Sequence, residues 1–189
     1  MGRSHKYIPA HDIVHQFGHS VAKTLPGFLA FTGCDTVSSF HGKRKKPCWD
    51  IFQLYSEFIP AFRVLSEISP TKEDIDAIFP LLNKFTARLY QNNEEFQGVD
   101  SLRHLLIHKV KSFDSMRPGI DSLKLKSYRA EYQRGNIWEN MLVPIMNPPS
   151  PSEWVWIETP HSWVPQYTNL DIISRNLPTF TLCLMYPQS

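Results

Sequence analysis

Cysteine, net charge and long apolar runs are all scarce in this sequence, and each shortage excludes a class of protein. Cys34, Cys48 and Cys183 are the only cysteines in 189 residues. Their odd number and irregular spacing suit reduced intracellular thiols better than a disulfide framework and match no ligand pattern. Twenty basic against 18 acidic residues leave a formal net charge of +2. The chain is therefore no polycation, and any case for nucleic acid must rest on local clustering. No segment reaches the roughly 18 apolar residues of a membrane span, and Met1 to Tyr7 is polar, without a signal core. Neither an internal repeat nor a low-complexity tract is present. The expectation is an intracellular protein with no membrane partner. What is abundant is apolar material: 42% hydrophobic and 13% aromatic residues, enough for one domain with a real core.

Hydrophobic spacing predicts a mainly α fold, a bundle-like body over residues 1–143. Ala10, Ile13, Val14 and Phe17 share one face of a helix over Ile8–Gly18, with Pro9 at its start and Gly18 at its end. Ser20–Gly33 continues helically, restarting at Pro26. Pro47–Ser56 and Ala61–Ile68 read as further short helices, with Trp49, Phe52 and Tyr55 inward in the first. Thr71 caps a long amphipathic helix bearing Ile75, Ile78, Phe79, Leu82, Phe85 and Leu89, kinked or divided at Pro80. Val99–Phe113 follows, with Leu102, Leu105, Leu106 and Val110 inward. The last helix runs Ser122–Leu142, with Leu125, Tyr128, Tyr132, Gly135, Trp138 and Leu142 on its stripe. Lys124, Lys126, Arg129 and Arg134 lie off that stripe, as a solvated face or a track for a phosphate backbone. Residues 144–189 form a proline- and tryptophan-rich segment without helix, packing on the body or trailing it; its Thr179–Tyr186 run is β-prone.

The chemistry concentrates in Phe31–Lys46. An apolar helix stops at Gly33, Asp35 follows, and a small-residue turn leads through Gly42 into Lys43, Arg44, Lys45 and Lys46. An acid beside a cationic turn suits phosphodiester chemistry: Mg²⁺ takes carboxylate oxygens, while cations and exposed amides hold the phosphates. Two-metal hydrolysis gathers several carboxylates, however, and Asp12 is the only acid upstream of Asp35. His11, His15 and His19 recur every four residues and read as solvated or partly buried histidines before metal ligands; His104 and His108 are spaced i, i+4 and read as a solvated face. Lys43–Lys46 is also compatible with a nuclear-import signal on an interaction or adaptor protein whose Pro/Trp segment docks a partner.

The run from Leu25 to Lys46, LPGFLAFTGCDTVSSFHGKRKK, resembles the segment of flap endonucleases in which a helix ends in Gly-x-Asp and leads to a Gly-x-Gly-x-Lys turn. It is more closely similar to a mobile-element-derived animal family of PIN-like nuclease ancestry that shares the pattern GCDTVSSFxGKxKK. Tyr7–Ile13, the AEYQRGNIW run at 130–138 and the PSPSEWVW run at 149–156 agree with other motifs of that family. The resemblance covers roughly residues 7–170. It implies the helical half of a flap-endonuclease-type PIN domain, with a helix-turn element at about 25–57. It further implies Asp35 as a metal ligand for Mg²⁺. Gly42, Lys43, Arg44, Lys45 and Lys46 would form the turn that binds the phosphates of double-stranded or branched DNA. Arg44 stands where the family has a second glycine, which adds charge and removes backbone freedom. The early catalytic acids of such nucleases have no counterpart here. The expectation is thus a C-terminal portion, catalytically incomplete by itself, DNA-associating and nuclear, with a domesticated fragment lacking nucleic-acid chemistry as the alternative.

Overall fold

The computed structural model describes residues 9–68, 70–92, 97–106, 118–144 and 147–167. Among them are seven α-helices and a single two-stranded sheet, so the mainly α expectation holds. α1 (Ala10–Ala22) is broken at Gly18, whose φ of 78° and ψ of 160° lie outside the helical region. α2 (Leu25–Phe31) carries Pro26 in its first turn, where the missing N–H costs nothing. α3 spans Lys45–Leu54, two residues earlier than the sequence suggests; Pro47 sits within its first turn. Lys45 and Lys46 therefore belong to a helix, not to the turn before it. A 3₁₀ turn (Ser56–Phe58) leads into α4 (Ile59–Val64).

α5 (Lys72–Tyr90) is the longest element. Thr71 accepts from the Asp74 N–H at 3.2 Å, and Asp74 accepts from the Thr71 N–H at 2.9 Å, a reciprocal capping box. Those bonds hold the exposed Asp74 carboxyl below its usual range. The helix runs unbroken through Pro80, which does not divide it. Pro80 and Asp76, whose carbonyl loses its N–H partner, are both exposed, so water can satisfy that carbonyl. α6 (Val99–Leu106) opens with Val99 and Leu102 buried; the rest of the expected Val99–Phe113 helix, the His104 and His108 side chains and Thr179–Tyr186 lie outside the described residues.

α5 packs against α3, α4, α6 and α7 (Ile120–Glu131), and α2 packs on α4 and α7. The core between them is aromatic. Phe62 has ring centroids at 5.5 Å from Phe28, 5.8 Å from Phe31, 5.3 Å from Phe52 and 5.0 Å from Phe85. Most of these pairs are edge-to-face, the arrangement that adds attraction beyond area burial. α2 crosses α4 at Gly27, whose N–H donates to Ser66 Oγ at 2.8 Å. A Cβ at Gly27 would lie 2.7 Å from Leu65 Cβ and 2.8 Å from the Leu65 carbonyl carbon, so backbone blocks any larger residue.

The long stripe expected on Ser122–Leu142 is corrected in two ways. α7 ends at Glu131 and a π-helix continues over Tyr132–Trp138, which shifts the register of every side chain beyond it. Tyr132 and Gly135 of the expected stripe are buried and Tyr128 and Trp138 pack against the core, but Leu123, Lys126, Ser127, Ala130, Glu131, Gln133, Arg134 and Asn136 are buried as well, whereas Leu142 is 89% exposed. Lys126 and Arg134 therefore neither face water nor track a phosphate backbone. Arg134 donates to the Glu67 carbonyl and pairs with Glu139 at 3.2 Å.

The described part of the Pro/Trp-rich segment, residues 147–167, lies against this helix. Tyr132 donates to the Pro149 carbonyl at 3.1 Å, its ring meets Trp154, and Arg129 donates to the Gln166 carbonyl at 3.1 Å. The segment holds a 3₁₀ turn (Pro151–Trp154) and an antiparallel pair, β1 (Trp156–Glu158) and β2 (Trp163–Pro165).

Two predictions follow from this packing. Gly27→Ala should lower the free energy of unfolding by about 1–3 kcal/mol, read by urea titration. Glu131 is fully buried, with neither oxygen hydrogen-bonded among the described residues, and burial lifts its pKa to about 8 against the pull of Arg134. The native state thus keeps a proton that the unfolded chain releases above about pH 4.5. Stability should fall by about 3 kcal/mol between about pH 5 and pH 8, and Glu131→Gln should flatten that slope.

Candidate nucleic-acid interface

The loop from Gly33 to Arg44 is built by a close backbone approach. Gly33 has φ of 110°, and a Cβ there would lie 2.6 Å from Ser39 Cα, so the chain can fold back on itself only at glycine. Cys34 N–H donates to the Val37 carbonyl at 2.8 Å, closing a tight turn that leaves Asp35 and Thr36 exposed and buries Val37. Phe40 and Lys43 form an isolated antiparallel bridge, Lys43 N–H donating to the Phe40 carbonyl at 3.0 Å. Gly42 occupies the left-handed region at φ 69° with open space around it.

Two side chains of the last helix hold this loop. Lys126 donates to the Ser38 carbonyl, with its ammonium 4.6 Å from the Phe40 ring centroid and 5.8 Å from that of Phe31. Thr36 donates to Gln133 Oε1. Two of the motifs that stand out in the sequence, GCDTVSSF and YQRGNIW, therefore meet in space across 97 residues of chain. Neither Lys126 nor Gln133 is marked by the apolar stripe. The available signal was the seven-residue spacing from Leu123 to Ala130 and from Lys126 to Gln133, which returns side chains to one face after two turns.

The four cations have different environments. Lys45 Nζ donates to the Leu29 carbonyl at 2.7 Å, to Thr32 Oγ1 at 2.8 Å and to the Gly33 carbonyl. These are the orphan acceptors at the end of α2, so Lys45 is a C-terminal cap supplied by another helix and has no donor left for a phosphate. Desolvation lowers its pKa. Lys43 is half-buried with its ammonium 5.8 Å from the Tyr90 ring centroid. Lys46 is exposed and pairs with Asp50 at 2.8 Å, an i,i+4 pair that contributes little in water. Arg44 is exposed at the N-cap position of α3, which has no side-chain cap. The first amides of that helix, Lys45 and Lys46, thus lack a capping side chain, and Pro47 has no N–H.

Asp35 is exposed and forms no hydrogen bond or ion pair among the described residues, where no three His, Cys, Asp or Glu side chains gather to hold a metal. It fits a single carboxylate contact to a hydrated Mg²⁺, not an all-protein cage. Cys34 and Cys48 are free thiols, and burial raises the pKa of Cys48. His11, His15 and His19 are all exposed; His11 pairs with Asp12 at 3.3 Å, and His19 lies beyond the Gly18 break. No helix among the described residues is long and apolar enough to cross a membrane. No protein-family model, curated protein or solved structure matches this chain.

Loss of the Lys45 cap should be visible in stability alone. Lys45→Met is expected to lower the unfolding free energy by about 1–3 kcal/mol, whereas Arg44→Ala should change it by less than about 0.5 kcal/mol, both read by thermal and urea unfolding.

Proposed function

We propose that this chain is a DNA-associating helical module of nuclease ancestry, catalytically incomplete by itself, that meets duplex or branched DNA through the Gly42–Arg44 turn and the start of α3 at Lys45 and Lys46. The observation that carries this reading is the convergence at one point of an exposed Arg44, an exposed Lys46, a left-handed Gly42 and the uncapped first amides of α3. Phosphate oxygens accept from amides and from guanidinium together, and the helix dipole favours the anion there. Lys43 adds charge from the side, above Tyr90. Lys45 serves by keeping the end of α2 against the start of α3, and so fixes the turn without touching DNA.

Asp35 is carried on the same loop, seven residues before Gly42. A Mg²⁺ ion held there would complete its shell with water and phosphate oxygens. Binding of this kind places the chain beside DNA in the nucleus, with the Pro/Trp-rich segment on the body of the same helix that supports the loop.

The test is salt-dependent binding to a flap-bearing DNA duplex. Arg44→Ala with Lys46→Ala should weaken binding and reduce the slope of log affinity against log salt by about 2. Unchanged affinity in that double variant would sink the reading and leave an interaction protein without nucleic-acid chemistry.

A further inference from the structure

α1, α2 and the end of the π-helix line a cavity of about 610 Å³ that includes no residue of the Gly33–Arg44 loop. Ile13 and Val14 come from α1, Leu25 and Leu29 from α2, and Trp138 and Met141 from the end of the π-helix and the turn after it. α1 is anchored to the body by Phe17, whose ring centroid lies 5.2 Å from that of Trp49. Leu29 and Met141 are exposed, so the cavity holds apolar surface against water that a ligand would cover. Its volume is that of a site for one small molecule.

The only charged groups among the described lining residues are Arg134 and Glu139, paired at 3.2 Å. They are not equivalent. The Arg134 side chain is 9% exposed and donates through Nη1 to the Glu67 carbonyl, which ties it from a third segment of chain. The Glu139 side chain is 38% exposed and begins the turn that follows the π-helix. Glu139 can therefore leave the pair for water at little cost, whereas Arg134 is held where it is and needs an anion beside it. A guanidinium has five N–H donors and accepts two carboxylate oxygens side by side, so one carboxylate can replace another on Arg134. The other lining residues, aliphatic except for Trp138 and Met141, offer nothing to read a sugar, a base or a second charge.

The geometry points to a site for a medium-chain fatty acid: its alkyl chain lies between α1 and α2, and its carboxylate takes the place of Glu139 on the Arg134 guanidinium. A single guanidinium balances one negative charge, which suits a carboxylate before a phosphate monoester. Burial of the chain supplies the affinity, and the exchange of carboxylates supplies the preference for an acid over an alcohol or an amine of the same length. The site is independent of the DNA reading, since none of its residues belongs to the basic turn.

Calorimetric titration of the full chain with decanoate, kept below its micelle concentration at neutral pH, tests the assignment. Decanol and decylamine serve as neutral and cationic counterparts, and a short apolar peptide with a free C-terminal carboxylate serves as the other source of the same group. Decanoate should bind about tenfold more tightly than decanol or decylamine, and more tightly than the peptide. Glu139→Gln removes the competing carboxylate and should tighten decanoate binding several-fold without helping decanol. Leu29→Glu, at an exposed position of the wall, should abolish decanoate binding while the protein stays folded by circular dichroism. Equal affinity for decanoate and decanol would overturn carboxylate recognition, and so would an unchanged decanoate affinity in Glu139→Gln. A preference for decylamine that is lost in Glu139→Gln would reverse the assignment to a cationic ligand. Tighter binding of the peptide, or decanoate binding that survives in Leu29→Glu, would remove the fatty acid from this cavity, as would no binding at all.

Discussion

Phe62 is the residue on which the architecture turns. Its ring touches Phe28 and Phe31 of α2, Phe52 of α3 and Phe85 of α5, so one side chain on α4 joins four helices. Edge-to-face contact restricts the angles at which those rings can meet, which makes the cluster a constraint on helix orientation as well as a source of burial. Truncating such a ring removes about 3–5 kcal/mol, a large part of the stability of a typical domain. The close crossing at Gly27 is part of the same constraint. It lets α2 approach α4 far enough for Phe28 and Phe31 to reach Phe62.

Around that apolar centre the charges are used inwardly. Lys45 caps the end of α2, Lys126 holds the Ser38 carbonyl, and Arg134 holds the Glu67 carbonyl. In each case a cation ties down backbone oxygens at the end of a helix or in a loop, joining segments distant in the chain. The consequence for function is selective. Of the four consecutive cations from Lys43 to Lys46, only Arg44 and Lys46 are exposed with donors available to a ligand. A charge run that looks uniform in one dimension is divided in three into a tie, a half-buried flank and two outward contacts.

The polar buried face of the last helix is the least expected feature. Lys126, Glu131, Gln133, Arg134 and Asn136 occupy positions that apolar residues would fill in an ordinary amphipathic helix. Two of them hold the Gly33–Arg44 loop, and Glu131 remains without a hydrogen bond among the described residues. Buried polar groups of this kind make the loop position specific while lowering the margin of stability.

Local chemistry alone determined several features. Thr71 and Asp74 start α5 because a cap and an acid three residues on satisfy each other's amides; Pro26 marks α2; the phenylalanines and isoleucines of α5 declare its buried face. These depend on contacts within one or two turns, which spacing records. The loop with Asp35 and the basic turn was visible as a composition change for the same reason. Only tertiary structure decided the roles of Lys45 and Lys126, because their partners lie 12 to 16 and 88 residues away. It also decided the polar part of the inward face of residues 120–138, since the spacing changes from α to π at Tyr132, where the chain packs against α2 and the loop. The Phe31–Lys46 stretch supplied an acid and four cations. Which of them can reach a phosphate was settled by the bonds that had already claimed the others.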